Sequence, residues 1–166
     1  MIAGVDSSSH AVDIVLLDDD SDEVHSFHHV PLVGKTPFER ARGCKQRLPA
    51  RSWWEEKGVW LLGFEDPFSH DAHVAKALGL ICGAFAAQLP PDLTAVPTPP
   101  SEWQKLFTGW AKQPRFSDER KYLIRQAALA RGFNGDGRTQ DLYDAFGIAV
   151  VVRDLNNQAI QGGKAA

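Results

Sequence analysis

Two short, continuously apolar segments constrain the fold of this chain more than any other feature of its sequence. They are IAGVD at 2–6 and GVWLLGFE at 58–65. A continuous apolar run of this length, the second one beginning after a glycine, is typical of a strand buried inside a sheet. We therefore predict two buried strands that are separated by more than fifty residues of chain, which other elements must fill.

Strand and helix patterns alternate along the rest of the chain. The short serine-rich link after the first strand favours a hairpin, and the later strands are separated by helices, so we predict an α/β fold with a mixed sheet of five strands, antiparallel on one side and parallel through the crossovers. The predicted strands cover 2–6, 11–18, 23–32, 58–65 and 93–100, the last as an edge strand. The predicted helices cover 37–57 (interrupted near Pro49), 71–89, a segment starting near 100, 117–132 with Ser117 as N-cap, and 139–154.

Length and composition favour a single domain. The 166 residues suffice for a sizeable core, and we predict one domain at 1–155 followed by a flexible tail at 156–166. No apolar run approaches the ~18 residues that a membrane span needs, and the N-terminus carries no secretory signal pattern. Cys44 and Cys82 stand in no metal or redox spacing, so we expect reduced thiols and a cytoplasmic location.

The charge is unevenly distributed. The formal net charge is −3, yet 35–57 carries seven basic residues against three acids, and 105–138 carries eight against three. Such faces can meet phosphate even in a mildly acidic protein. Ordinary solvated helix surfaces remain the alternative explanation.

Four acids are predicted to meet at one edge of the sheet. Asp6 ends the first strand, and Glu65 ends the later buried strand. Parallel neighbours would bring both ends to the same edge, where function usually lies in such sheets. Asp141 and Asp144 are three residues apart in TQDLYDAFGIAV, so a helix places them on one face.

A shared divalent cation would explain such a group of acids. Carboxylates that lie within a few ångström of one another cannot all stay ionised without one, and oxygen ligands suit Mg²⁺. Taken singly, each acid also has an ordinary explanation as a turn, strand-end or helix-start residue. His70 and His73 lack the companions of a zinc site, so we interpret them as structural or solvent-facing.

Three segments together resemble a known family. The order of AGVDSSS, LLGFEDPF and DLYDAFGIA is similar to that of RuvC-type Holliday junction resolvases, which belong to the RNase H-like nucleases. The resemblance covers nearly the whole chain in element order and implies an RNase H-like fold. The short chain favours a bacteriophage-type member, which would act in the host cytoplasm. Ser7 to Ser9 depart from the proline and glycine that family members often carry after the first acid.

The resemblance also implies a metal-dependent activity. Asp6, Glu65, Asp141 and Asp144 would be the catalytic, metal-binding acids, holding two Mg²⁺ ions, with Mn²⁺ as a substitute. One ion would activate water and the other would stabilise the leaving 3′ oxygen. The implied enzyme is an endodeoxyribonuclease that cuts four-way junctions and leaves 5′-phosphate and 3′-hydroxyl ends.

The resemblance also implies candidate DNA contacts at matching positions of this sequence. Phe68 stands where the family places an aromatic that meets unstacked bases, although a core role is an equal alternative. Lys105 and Lys121 match DNA-contacting lysines. Weaker candidates for phosphate contacts are Arg115, Arg120 and Arg125.

The implied partners are branched DNA and a second copy of the chain. A junction offers two equivalent strands to cut, so the family works as homodimers, and the helix at 71–89 is our candidate interface. Two alternatives stay open: an RNase H-like nuclease that acts on flaps, other branched DNA or RNA, and a non-catalytic nucleic-acid-binding module. Trp53 and Trp54 have no family role and are predicted to lie in the core or at a dimer interface.

Overall fold

The structure is a computed structural model that describes residues 1–66, 71–134 and 139–163. Its strands are β1 Ile2–Ser7, β2 Ala11–Leu17, β3 Val24–Pro31, β4 Leu61–Glu65 and β5 Thr94–Thr98. Its helices are α1 Pro37–Arg47, α2 Arg51–Glu56, α3 Ala72–Ala86, α4 Pro100–Thr108, α5 Ser117–Ala130 and α6 Gln140–Gly163. The predicted first helix is thus divided into α1 and α2 around Pro49, as expected.

The five strands form one mixed sheet in the order β3-β2-β1-β4-β5. The first three strands pair in antiparallel fashion, whereas β4 runs parallel to both β1 and β5. This confirms the predicted meander joined to parallel strands, with β5 at an edge. Its Pro97 is tolerated there because an edge strand leaves one row of backbone groups without ladder partners.

Strand alternation divides the core into two layers, one on each face of the sheet. Ala3 and Val5 belong to one cluster, together with residues of α1, α2 and α3. Val15 and Leu17 belong to the other, together with residues of α4, α5 and α6. Because side chains alternate across a strand, the even-numbered positions of β1 and the odd-numbered positions of β2 face α6.

Two glycines let α6 lie close to the sheet. A Cβ atom on Gly4 would come 2.0 Å from the carbonyl oxygen of Ala145 and 2.5 Å from the backbone nitrogen of Ala149. A Cβ on Gly63, the register partner of Gly4 in β4, would come 2.5 Å from a Val152 methyl. The missing side chains therefore set the distance of α6 from β1 and β4.

Several sequence predictions need correction at helix ends. The helix α5 begins at Ser117 itself, and its N-cap is Phe116, which makes no capping hydrogen bond through its side chain. The predicted tail at 156–166 is wrong for 156–163, since α6 continues through Gly163. Extending an existing helix costs less than starting one, and no proline stops this segment.

Trp54 is completely buried and meets Phe85 edge-on at 5.9 Å, so it belongs to the core. Trp53 makes edge contacts with Trp54 and His28. Both cysteines are free. In the described parts of the chain, no helix is long and apolar enough to cross a membrane.

Candidate metal centre

Strand register brings Asp6 and Glu65 together at the carboxyl ends of β1 and β4. The pairing of β1 with β4 aligns Val5 with Phe64, so the next residue of each strand is an acid. Asp6 lies near the end of β1, and Glu65 is the last residue of β4. By strand alternation both side chains project on the side of the sheet that α6 covers.

The helix α6 supplies the other two acids from its first turns. Asp141 and Asp144 follow the start of the helix at Gln140. Asp6, Asp141 and Asp144 each offer a carboxylate oxygen, and these three atoms lie within 4.8 Å of one another. The start of a helix favours negative charge, but three carboxylates at this separation repel strongly.

Glu65 lies beside this group, although it is not one of the three residues that share the 4.8 Å spacing. Its Oε2 accepts a hydrogen bond of 2.9 Å from the indole Nε1 of Trp103, a buried residue of α4. Asp144 is held in a similar way, since Gln140 donates its side-chain amide to Oδ1 at 2.9 Å. Neutral donors therefore orient two of the four acids.

Burial and neighbouring carboxylates raise the pKa of three of these acids, Asp6, Glu65 and Asp144. Burial raises the pKa of Asp6 well above its ordinary value, and the charges of Glu65, Asp144 and Asp141 raise it further. Burial also raises the pKa of Glu65, against the opposing hydrogen bond from Trp103. Burial is again the main cause that raises the pKa of Asp144, to about 7, with smaller contributions from Glu65 and Asp141.

The donor set fits a hard divalent cation. All four side chains present oxygen, which Mg²⁺ and Mn²⁺ prefer, and a cation would remove the electrostatic cost that the raised pKa values report. Among the residues that the structure describes, Lys121 is the basic side chain whose charge lowers the pKa of Asp144. One lysine does not balance four carboxylates, so the described residues leave the centre with excess negative charge.

The described candidate DNA contacts lie on α4, on α5 and just before α5. Lys121 projects from α5 near Asp144, while Lys105 is exposed on α4. Arg125 places its guanidinium 5.4 Å from the ring centre of Tyr143, which belongs to α6. Arg115 is exposed before α5, and Arg120 is half-buried in its first turn. Phe68 and His70 lie outside the described residues, and His73 is exposed.

Sequence reasoning missed two side chains that border the acids. Trp103 lay within a segment considered only for its lysine, and nothing in a helical pattern indicates which indole will reach a carboxylate. Asp13 is a fully buried acid in the middle of β2, directly opposite Asp6. A single acid inside the apolar run AVDIVLL was a usable signal for it.

The fold matches those of solved Holliday junction resolvases. Thermus thermophilus RuvC in complex with a Holliday junction superposes with a TM-score of 0.62 at 17% identity, covering 89% of this chain and 88% of that one. A second Thermus thermophilus RuvC structure gives 0.60 at 18% identity, over 89% and 90%. A Fowlpox virus resolvase complexed with Holliday junction DNA gives 0.52 at 12% identity, over 92% and 96%.

No protein-family model matches the sequence. No curated protein matches it either. At these identities the structural likeness establishes the fold, which is the RNase H-like α/β fold of RuvC-type resolvases. Within that fold, the chain presents a carboxylate centre at the carboxyl ends of β1 and β4.

Proposed function

We propose that this chain is a divalent-metal-dependent endonuclease that resolves four-way DNA junctions. The observation that carries the proposal is the group of three carboxylates within 4.8 Å, with Glu65 beside it, on the fold of RuvC. Excess buried negative charge is costly for a protein that never binds a cation, so the arrangement favours a metal site. Two of the structural neighbours are complexes with Holliday junction DNA, and this supports the junction as substrate.

In this proposal Asp6, Glu65, Asp141 and Asp144 hold Mg²⁺, with Mn²⁺ as a substitute. When bound, a pair of such ions supplies an activated water at neutral pH and stabilises the charge that develops on the leaving 3′ oxygen. The protein's own part is to fix the carboxylates: Trp103 orients Glu65, Gln140 orients Asp144, and the glycine-lined contact with β1 and β4 sets the position of α6. Products with 5′-phosphate and 3′-hydroxyl ends follow.

The substrate would approach along the basic side of α5. Lys121 is close enough to Asp144 to lower its pKa, so a phosphate bound by this lysine would lie next to the acids. The other proposed contacts are Lys105, Arg115, Arg120, Arg125 and Phe68.

We also propose that the enzyme acts as a homodimer through α3. Val74 and Leu80 of this helix remain exposed, at 44% and 37%, and Phe38 of the neighbouring α1 is 67% exposed. A second copy would cover these apolar side chains.

Cleavage of synthetic DNA tests the proposal. Purified protein is incubated with a four-way junction, a flap, single strands and an RNA–DNA hybrid, with Mg²⁺ and with EDTA. We expect Mg²⁺-dependent cutting of the junction, and a fall of about a thousandfold in Asp144→Asn, equivalent to about 4 kcal/mol of transition-state stabilisation. Asp92→Asn, which removes one exposed acid from the loop before β5, is the matched control and should retain full activity.

Each alternative predicts a different result. An intact junction beside cut flaps or hybrids would retain the metal centre but replace the substrate. Binding without cutting of any substrate would indicate a non-catalytic module. Equal activity of wild type and Asp144→Asn would exclude the carboxylate centre as the site of reaction.

A further inference from the structure

A fifth carboxylate lies directly behind the proposed metal centre. Asp13 is the register partner of Asp6 in the antiparallel pair β1 and β2, and its residue has no exposed surface. It lies on the same face as Val15 and Leu17, which pack in the core beneath α6. A buried acid on this face is unusual, because its neighbours along β2 are all apolar.

The two oxygens of Asp13 have different surroundings. Oδ1 lies 2.9 Å from Nδ1 of His29, which is the register partner of Asp13 in β3 and has a half-exposed side chain. The hydroxyl of Thr139, immediately before α6, reaches the same oxygen at a long 3.5 Å. Oδ2 is buried and has no hydrogen-bond partner among the described residues. A buried, unpartnered carboxylate oxygen is costly unless something binds there.

The charge of Asp13 acts on the acids of the centre. It contributes to the raised pKa of Asp6, and the charge of Asp141 in turn contributes to the raised pKa of Asp13, whose main cause is burial. Asp13 is not among the three residues whose oxygens lie within 4.8 Å. It is therefore near enough to act electrostatically on Asp6 and Asp141, two of the proposed direct ligands.

We propose that Asp13, anchored by His29, is a positioning residue of the cation centre, which adds negative potential behind Asp6 and so strengthens the hold of that carboxylate on the cation. Groups that surround direct ligands commonly change metal affinity by 10- to 100-fold. This inference rests on the proposed function, because it assumes that the centre binds a divalent cation.

Cation binding to the folded protein provides the test, independently of cleavage. The melting temperature is measured in EDTA and at increasing Mg²⁺ or Mn²⁺, and the cation concentration that gives half of the stabilisation is compared between variants. For Asp13→Asn we expect about a tenfold higher concentration than for wild type. In EDTA the same variant should melt at or above the wild-type temperature, because it removes a repelling charge.

Two further variants keep the comparison interpretable. Asp92→Asn removes an acid before the start of β5, whereas the centre lies at the carboxyl ends of β1 and β4, so it should behave as wild type. Asp13→Ser is smaller and retains a hydroxyl for His29, so it replaces Asp13→Asn if the amide prevents folding.

The outcomes separate this inference from the proposed function. Wild-type protein that gains no stability from cation would refute the metal centre itself. Wild-type stabilisation with an unchanged half-saturating concentration in the Asp13 variants would overturn only the role of Asp13. A lower melting temperature in EDTA with unchanged cation dependence would mean that Asp13 is merely structural, and would overturn it as well.

Discussion

The first turns of α6 and its middle both carry buried charge, and this charge is compensated differently in the two regions. In the middle of the helix, Arg153 is 6% exposed and donates to Asp22 at 2.6 Å and to Asp154 at 2.9 Å. At its N-terminal end, Asp141 and Asp144 face Asp6, and within the described residues Lys121 is the basic side chain whose charge lowers the pKa of Asp144.

This difference indicates which charges serve the fold. A buried ion that the protein compensates itself, as at Arg153, is a structural element whose cost is offset within the chain. A group of acids left without compensation is expensive in the free protein and is retained where a ligand supplies the missing charge. The same helix therefore carries a compensated ion-pair group in its middle and an uncompensated group of acids in its first turns.

Moving α6 away from the sheet should have the largest effect on stability. Gly4→Ala places a Cβ 2.0 Å from the Ala145 carbonyl oxygen, so β1 and α6 must separate. We expect a loss of more than about 3 kcal/mol, a fall of about 6–12 °C in melting temperature, and loss of stabilisation by cation. In contrast, Gly83→Ala on α3 meets nothing within 4 Å and should gain about 0.5–1 kcal/mol. Equal melting temperatures for these two variants would contradict the close approach of helix and sheet.

Removing charge from these two regions of α6 should change the free energy of unfolding differently. Arg153→Met leaves Asp22 and Asp154 without their buried partner, and we expect a loss of about 2–3 kcal/mol, less than for a fully buried pair because both acids retain some solvent contact. Asp144→Asn, measured in EDTA, should not destabilise the protein, because it relieves repulsion. Urea denaturation measures the free energy of unfolding of both variants. A comparable loss of stability in each would contradict the difference between the compensated and the uncompensated region of α6.

The pH dependence should differ with and without cation. The unfolded chain ionises Asp144 near the ordinary pKa of 3.8, whereas the folded, cation-free protein does so at about 7. Between these values the folded state holds more protons, so its stability falls as pH rises, by roughly 2–3 kcal/mol between pH 5 and pH 7.5. Melting temperatures at pH 5 and pH 7.5 in EDTA measure this fall, and Mg²⁺ should abolish it. Asp144→Asn should show a smaller fall, and an unchanged slope in that variant would count against the assignment.

Removing the hydrogen bond that orients Glu65 should have the smallest effect on stability and cleavage. Trp103→Phe retains the buried ring but removes the N–H that orients Glu65. We expect the free energy of unfolding to fall by about 1 kcal/mol, and cation binding or cleavage to weaken by about tenfold. Cleavage rates over a Mg²⁺ series measure the second effect. If Trp103→Phe cuts as wild type does at every Mg²⁺ concentration, Glu65 needs no orienting donor.

The sequence predicted the parts of this molecule that depend on local pattern. The buried strands, the parallel alignment that brings Asp6 and Glu65 to one edge, and the helix that presents Asp141 and Asp144 all follow from apolar runs and periodicity. Asp13 was missed because the face on which a lone acid lies is decided by pairing with β1, not by β2 itself.

Other features depend on packing between distant elements, which no local pattern reports. Trp103 reaches Glu65 across 38 positions in sequence, and only the way α4 packs on α6 decides this. The helical segment beyond residue 154 was missed for a different reason: its polar composition indicated a tail, whereas propagation of an existing helix needs no apolar face.

Anomalous diffraction from crystals soaked in Mn²⁺ would locate a cation at the carboxylates directly. We expect Mn²⁺ peaks at the carboxylates of Asp6, Asp141 and Asp144, and none there in Asp144→Asn crystals treated in the same way. Well-diffracting wild-type crystals with no peak at these three side chains, or with Mn²⁺ bound only elsewhere, would contradict the proposed metal centre.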